Sequence, residues 1–199
     1  SGRVHWDLTD TLSADLMVDY WHKKDAEGLQ GNALPPFNLN TSIVGFGGVT
    51  STSPDETGSD LTDKSDTKEF SSQLRFDVNL DSVDFASITT LSDFENDWFG
   101  ESDGISGSFF TPGDFIEESK TLSQEFQLLS NNESNLEWIA GAFVYSDEHE
   151  SEILIFSDVI HLSQGIQDTD TKAYALFGQA TYDFNDNWAL TVGGRYSYE

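Results

Sequence analysis

The residues of this chain best suited to transition-metal chemistry are two histidine positions close to carboxylates. Glu148-His149-Glu150 and His161 combine imidazole with carboxylate groups, a ligand set that transition metals accept. The two histidines lack the fixed helical spacing of known metal motifs. We therefore expect surface histidines here and predict no metal site.

Two runs of carboxylates could offer oxygen ligands to Ca²⁺, which takes six to eight of them in a flexible geometry. Neither run follows the Asp-x-Asp-x-Asp-Gly order of a calcium loop, and blocks of like charge usually form solvated, self-repelling surface. We expect that for both runs. They comprise Asp55, Glu56, Asp60, Asp63, Asp66 and Glu69 in the first, and Asp93, Glu95, Asp97, Glu101 and Asp103 in the second.

Acid–base catalysis has only weak support in this sequence. The adjacent acids Glu117 and Glu118 invite a glycosidase hypothesis, but neighbours along an extended chain point apart. There is no Ser/His/Asp ordering, and Gly45-Phe46-Gly47-Gly48 lacks the third spaced glycine of a phosphate-binding loop. We predict no catalytic residues, no cofactor and no enzymatic activity.

The composition excludes several classes of protein. A formal net charge of -27, from 36 acidic and 9 basic residues among 199, argues against binding to a nucleic-acid backbone. With 37% hydrophobic and 13% aromatic residues, the chain is too apolar to remain disordered. It has no cysteine, and its apolar stretches fall short of the 18 or so residues of a spanning helix. A spanning strand needs only about 9 to 11 residues, so a membrane location remains open.

Apolar and polar side chains alternate with a period of two in several segments. From Phe70 to Leu80 the even positions are mostly apolar and the odd ones polar, which predicts a β-strand with two different faces. In the last two such segments aromatic residues stand at both ends of the apolar rows: Tyr174, Tyr182 and Phe184 in one, Trp188, Tyr196 and Tyr198 in the other. This is typical of a membrane barrel with aromatic girdles and a wet lumen.

The turns and loops alternate in length along the chain. We predict hairpins at about 3–24, 70–95, 121–146 and 171–199, with short turns at 9–11, 81–82, 130–135 and 185–187. Long loops are predicted at about 25–69, 97–120 and 151–169, and all of them leave from one rim. The predicted fold is all-β: an antiparallel, up-and-down transmembrane β-barrel segment of about eight strands.

Three motifs indicate a family. Thr121-Leu-Ser-Gln-Glu-Phe-Gln-Leu-Leu-Ser130, Trp138-Ile-Ala-Gly-Ala-Phe-Val-Tyr145 and the run from Ala173 to Trp188 resemble strands of TonB-dependent outer-membrane receptors. The resemblance is good over about 120–199 and looser over 3–24 and 70–95. It implies a 22-stranded barrel of which this chain, 1–199, holds about a third. The sequence shows neither a plug-like region nor an energy-coupling motif, and we expect a fragment.

The resemblance also implies partners and a location. They are lipid of the outer membrane of a Gram-negative bacterium, the TonB system acting through a plug region, and a scarce nutrient taken up with energy input. A ferric siderophore is the foremost ligand, with cobalamin, haem and glycans as alternatives.

Two sets of candidate site residues follow. Aromatic residues in the predicted loops could form a ligand platform, or could equally anchor the loops: Trp98, Phe99, Phe109, Phe110 and Phe115. Polar residues of the predicted strands should line the lumen, with the arginines and glutamines paired to Asp77 or Glu125: Gln73, Arg75, Asp77, Glu125, Gln179 and Arg195.

Two alternatives stay open. A passive or structural eight-stranded barrel would need pairing between Trp188–Tyr198 and Val4–Leu8. A soluble β-rich binding module would bury the apolar faces against a second layer.

Overall fold

The computed structural model describes residues 1–25, 64–100, 111–131, 134–156 and 163–199, and all of the regular structure in these ranges is β. Eight strands follow one another along the chain. They are β1 (Gly2–Asp7), β2 (Leu12–Asp25), β3 (Lys64–Asn79), β4 (Val83–Gly100), β5 (Thr111–Ser130), β6 (Leu136–Phe156), β7 (Ser163–Asn185) and β8 (Trp188–Tyr198).

The strands form one antiparallel sheet whose spatial order is the order of the sequence, from β1 to β8. Short polar turns fix the hairpins. In the last of them the backbone N–H of Asn187 donates to Oδ1 of Asn185 at 3.0 Å, a local turn that asparagine favours. Among the described strands, β1 pairs with β2 alone and β8 with β7 alone, so the sheet that they form is open. The up-and-down fold predicted from the sequence is confirmed.

The middle strands are longer than predicted. β3 to β7 contain 16, 18, 20, 21 and 23 residues, well beyond the 9 to 11 that cross a bilayer. Residues 64–69, 97–100, 111–120, 151–156 and 163–169, which were predicted as loop, lie in these strands. The prediction was wrong there because polar and apolar residues are mixed on both faces of these extensions, so the period-two signal disappears.

The register divides the sheet into two faces of opposite character. We call apolar face the side with the even-numbered positions of β1–β3 and β5–β8 and the odd-numbered positions of β4, and polar face the other side. The exposed large hydrophobic side chains lie on the apolar face, with Met17, Trp21 and Ile153 as the exceptions. Within the described ranges, Ala14, Ala86 and Ala175 are the only buried hydrophobic residues. The described strands thus have no second layer and no conventional core.

Aromatic residues mark the two ends of an apolar band on this face. Tyr174 and Tyr198 are paired at the end near the long connections, and Trp188 lies at the turn end. Near that turn the rings of Tyr182 and Phe184 meet edge to face, with centroids 5.0 Å apart. We call apolar band the part of the apolar face between these ends. In β3 it runs from Phe70 to the turn at Leu80.

Across the described ranges, no helix combines the length and the apolar character needed to cross a membrane.

Candidate functional site

Six polar residues predicted to line a lumen share one face of the sheet. Arg75 is the cross-strand partner of Ile88, which in turn partners Glu125, and both of these lie on the polar face. Gln179 and Arg195 reach the same face through β7 and β8. The register therefore places the complete set on the polar face: Gln73, Arg75, Asp77, Glu125, Gln179 and Arg195.

Arg75 forms the strongest ion pair of this set. Its Nε and Nη2 each donate to one carboxylate oxygen of Asp77 at 2.6 Å, a bidentate arrangement that fixes both side chains. The cross-strand partner of Arg75 on β2 is Asp15, which accepts from Nε and Nη2 of Arg3 at 3.0 and 2.8 Å. The pair with Asp77 was predicted from the sequence. Arg3 and Asp15 were not among the predicted lumen residues, although their alternation with apolar neighbours was a usable signal.

Arg195 makes different contacts from those predicted. Its guanidinium carbon lies 5.9 Å from the centre of the Phe143 ring, within cation–π range, and its Nε donates to Oγ of Ser197 at 2.9 Å. Glu125 accepts instead from Nε2 of Gln127 at 2.6 Å. Arg195 is therefore held by an aromatic ring and a hydroxyl, and the predicted pairing with Asp77 or Glu125 is wrong for this residue.

A glycine allows the aromatic packing beside Arg195. A Cβ added to Gly141 would lie 2.2 Å from Cζ of Phe177 and 2.7 Å from the carbonyl oxygen of Phe126. Phe177 is the cross-strand partner of both Gly141 and Arg195. Because Gly141 has no side chain, the outer edge of the Phe177 ring can lie over the backbone at this position.

Of the five aromatic residues considered as a ligand platform, two lie side by side. They lie in strands and not in the predicted loops. Trp98 on β4 and Phe115 on β5 are cross-strand partners, and Ile153 on β6 partners Phe115. These three half-exposed side chains form an apolar row on the polar face, near the long connections. Ile153 was missed because nothing in the sequence indicates the register. Phe99 lies on the opposite face, and Phe109 and Phe110 fall outside the described residues.

Ion pairs and hydrogen bonds hold the polar extensions of β2, β3 and β4 together. Asp66 accepts from Nζ of Lys24 at 2.7 Å and lies 2.5 Å from Nε2 of His22; these contacts, with Lys24 first, lower the pKa of the Asp66 carboxyl. Lys68 donates to Glu95 at 2.9 Å, and this contact raises the pKa of the Lys68 ammonium group. The extension is thus cross-linked by charge and lacks a hydrophobic core.

Alternation along the strands separates the residues that were considered for metal binding or catalysis. Glu148 and Glu150 lie on the apolar-face side of β6, whereas His149 points to the polar face, where its Nε2 is 3.8 Å from Oε1 of Glu117. Glu118 lies on the side opposite to Glu117. His161 is outside the described residues, and among the described ones no group of three or more potential ligands converges on a metal position.

The carboxylate runs considered for Ca²⁺ divide in the same way. Asp66 and Glu69 lie on opposite faces of β3, while Asp93, Glu95 and Asp97 share one face of β4. The remaining members fall outside the described residues: Asp55, Glu56, Asp60, Asp63, Glu101 and Asp103.

Comparison with known proteins gives a fold and a family. The ferric yersiniabactin uptake receptor FyuA from Yersinia pestis has a similar fold, with a TM-score of 0.73 at 12% sequence identity. The similarity covers 98% of this chain and 28% of the FyuA chain, so the chain spans less than a third of that receptor's length. No match is found among curated proteins. Residues 5–199 match the family model described as "TonB dependent receptor-like, beta-barrel". The chain therefore belongs to the TonB-dependent receptor β-barrel family.

Proposed function

We propose that this chain is part of the barrel wall of an outer-membrane receptor that takes up a ferric siderophore with energy supplied through TonB. The family match supports an outer-membrane receptor, and the fold likeness to a ferric yersiniabactin uptake receptor favours an iron chelate as the ligand. The coupling to TonB would act through a plug region, as is usual for the family.

The observation that carries the proposal is the uncovered apolar face. Leu176 and Val192 are each 64% exposed and Tyr196 is 71% exposed, although water would penalise such a surface. A lipid bilayer removes that penalty without requiring a second protein layer. Aromatic rings at both ends of the band suit the two membrane interfaces, where amphipathic side chains are favoured.

In this proposal the polar face lines the barrel interior. A wet lumen can solvate the bidentate pair of Arg75 and Asp77, whose side chains are 41% and 28% exposed. The same pair on the lipid side would cost several kcal/mol, because hydrocarbon offers charged groups no hydrogen bonds. The ion pair thus favours the lumen for the polar face, and the exposed hydrophobic residues favour lipid for the apolar face, so the two assignments agree.

Ligand capture is proposed for the apolar row of Trp98, Phe115 and Ile153. The row faces the proposed interior, and the rim there carries the long connections, which in barrels of this type lie outside the cell. Indole and phenyl rings provide a rigid surface on which an aromatic or cyclic chelate can stack. Anchoring of the connections remains the competing role for these rings.

Neither alternative agrees as well with the described residues. A closed eight-stranded barrel needs hydrogen bonds between β1 and β8, whereas these strands stand at opposite edges of the sheet. A soluble module needs a layer over the apolar face, and contacts between the described strands occur only between sequence neighbours.

The proposal is tested with the full-length receptor in iron-starved cells. Cells are supplied with radioactive iron bound to phenolate, catecholate or hydroxamate siderophores. We expect accumulation of at least one complex that stops when TonB is deleted, while surface binding of the complex persists. Equal accumulation in cells with and without the receptor gene, for every complex, would refute the proposed transport.

A pair of variants tests the ligand row. Trp98→Ala together with Phe115→Ala should weaken binding of the transported complex roughly tenfold, because two stacking surfaces are lost. Phe99→Ala is the matched control, since Phe99 is the next residue along β4 and lies on the opposite face. If the control weakens binding as much as the double variant, the row is not the ligand surface.

A further inference from the structure

A shallow groove crosses the boundary of the apolar band between β3 and β6. It has a volume of about 410 Å³. Its floor contains Phe70, Leu91 and Leu122, which are 42%, 47% and 46% exposed. Its polar end contains Asp93, Lys120 and Glu148. The groove thus joins an apolar floor to a charged end at the level where the proposed membrane meets water.

The charged end is a cation between two anions. Lys120 on β5 is the cross-strand partner of Asp93 on β4 and of Glu148 on β6. Within the described part of the chain, the side chains of these three residues make no hydrogen bond or ion pair with a protein group. Nearby lysines do: Lys24 binds Asp66 and Lys68 binds Glu95. The groove therefore keeps one ammonium group and two carboxylates available to a ligand.

This arrangement restricts the chemistry of a matching ligand. The apolar floor fits an acyl chain, and the Lys120 ammonium group can donate to a phosphate oxygen. A purely anionic head group would be repelled by Asp93 and Glu148, and by Asp170, which is the cross-strand partner of Glu148. A choline group carries a positive charge but offers no N–H donor. A head group with both a phosphate and a primary ammonium satisfies all three side chains of the groove.

We infer that this groove binds an outer-leaflet lipid that carries phosphoethanolamine. The phosphate lies at Lys120, the ethanolamine ammonium at Asp93 and Glu148, and one acyl chain lies along Phe70, Leu91 and Leu122. The inference rests on the proposed membrane location of the chain. It adds a specific lipid site at the end of the apolar band that is near the long connections.

The test uses the full-length receptor in vesicles of phosphatidylcholine containing 10% phosphatidylethanolamine or 10% phosphatidylglycerol, followed by native mass spectrometry of the released protein–lipid complexes. We expect retention of phosphatidylethanolamine in preference to phosphatidylglycerol. Lys120→Gln should reduce the retained phosphatidylethanolamine roughly tenfold, since a charge-assisted hydrogen bond is lost. Lys64→Gln is the matched control, because Lys64 also lies on the apolar-face side but outside the groove.

A second variant changes the selectivity without touching the lysine. Asp93→Asn combined with Glu148→Gln removes the carboxylates and should reverse the preference towards phosphatidylglycerol. The inference is overturned if the unmodified receptor prefers phosphatidylglycerol, if Lys120→Gln and Lys64→Gln retain lipid equally, or if the double variant keeps the original preference. Quenching of tryptophan fluorescence by brominated acyl chains reports lipid contact separately. If brominated lipids leave the tryptophan fluorescence of the unmodified receptor unchanged, the membrane location itself is refuted.

Discussion

An arginine on the apolar band should destabilise the folded barrel in proportion to its depth in the bilayer. Val192 is the best position, since it is 64% exposed on β8, between Trp188 and Tyr198. At about 3.4 Å per residue and a tilt of about 40°, the stretch from Trp188 to Tyr198 spans about 26 Å along the bilayer normal. This agrees with an apolar belt about 25 Å tall. Val192 lies about 10 Å from the Trp188 end, close to the midplane.

The cost of Val192→Arg follows from that depth. Arginine on a lipid face costs about 2–4 kcal/mol at the midplane and about 0–1 kcal/mol near an interface. We therefore expect Val192→Arg to lower the free energy of unfolding by about 3 kcal/mol and Leu190→Arg, nearer the Trp188 end, by less. Thr191→Arg is the control, because Thr191 lies on the polar face and loses only a 2.9 Å hydroxyl contact with Thr181.

The assay is urea titration of the full-length receptor folding into phosphatidylcholine vesicles, followed by tryptophan fluorescence and gel mobility without heating. Spin labels at positions 176, 190 and 192 give an independent check, since oxygen dissolved in lipid should relax them more strongly than a label at position 191. Equal destabilisation by Val192→Arg and Thr191→Arg, or a larger cost at position 190 than at 192, would refute the assignment of the apolar band to lipid.

Two further predictions concern packing and charge. Gly141→Ala should destabilise the protein by about 1–3 kcal/mol, because its Cβ would overlap the Phe177 ring, whereas Gly194→Ala, with open space around it, should change the thermal midpoint little. The lowered pKa of Asp66 means that its contact with Lys24 stabilises the extension fully above the usual carboxyl pKa and is lost as the pH falls through the lowered value. Hydrogen exchange at the β2–β3 ends, corrected for intrinsic rates, should therefore rise at low pH in the natural protein, and Asp66→Asn should remove most of that dependence.

The fold was predictable where one face is apolar and the other polar. Alternation located all eight strands and the four short turns, because a period of two is the direct result of strand geometry. It failed from Lys64 to Glu69 and from Thr111 to Lys120, where water is expected on both sides. In those extensions the strand is maintained by pairing with its neighbours, and pairing leaves no periodic mark in the sequence.

The sequence was sufficient to predict on which face of the sheet each candidate residue lies, but not which residues lie beside it on the neighbouring strands. Arg75 and Asp77 are two residues apart in one strand, which predicts that their side chains lie on the same face, and the structure shows them bound to each other. Parity cannot show which residue of the next strand lies alongside, because one step of register changes every partner. For that reason the partner of Arg195 was predicted wrongly, and the proximity of Ile153 to Phe115 and Trp98 was not predicted at all.

The uninterrupted passage of β3 to β7 from the apolar band into their charged extensions has a consequence for motion. In the proposed membrane location, one ladder of backbone hydrogen bonds passes from hydrocarbon, which offers no competing hydrogen-bond partners, into water, which offers them at every residue. Local opening of the backbone hydrogen bonds should therefore be most frequent at the strand ends next to the long connections. It should become rarer towards the apolar band. If the proposed function holds, the strand ends that carry Trp98, Phe115 and Ile153 would exchange their backbone amide protons faster than the residues of the apolar band on the same strands.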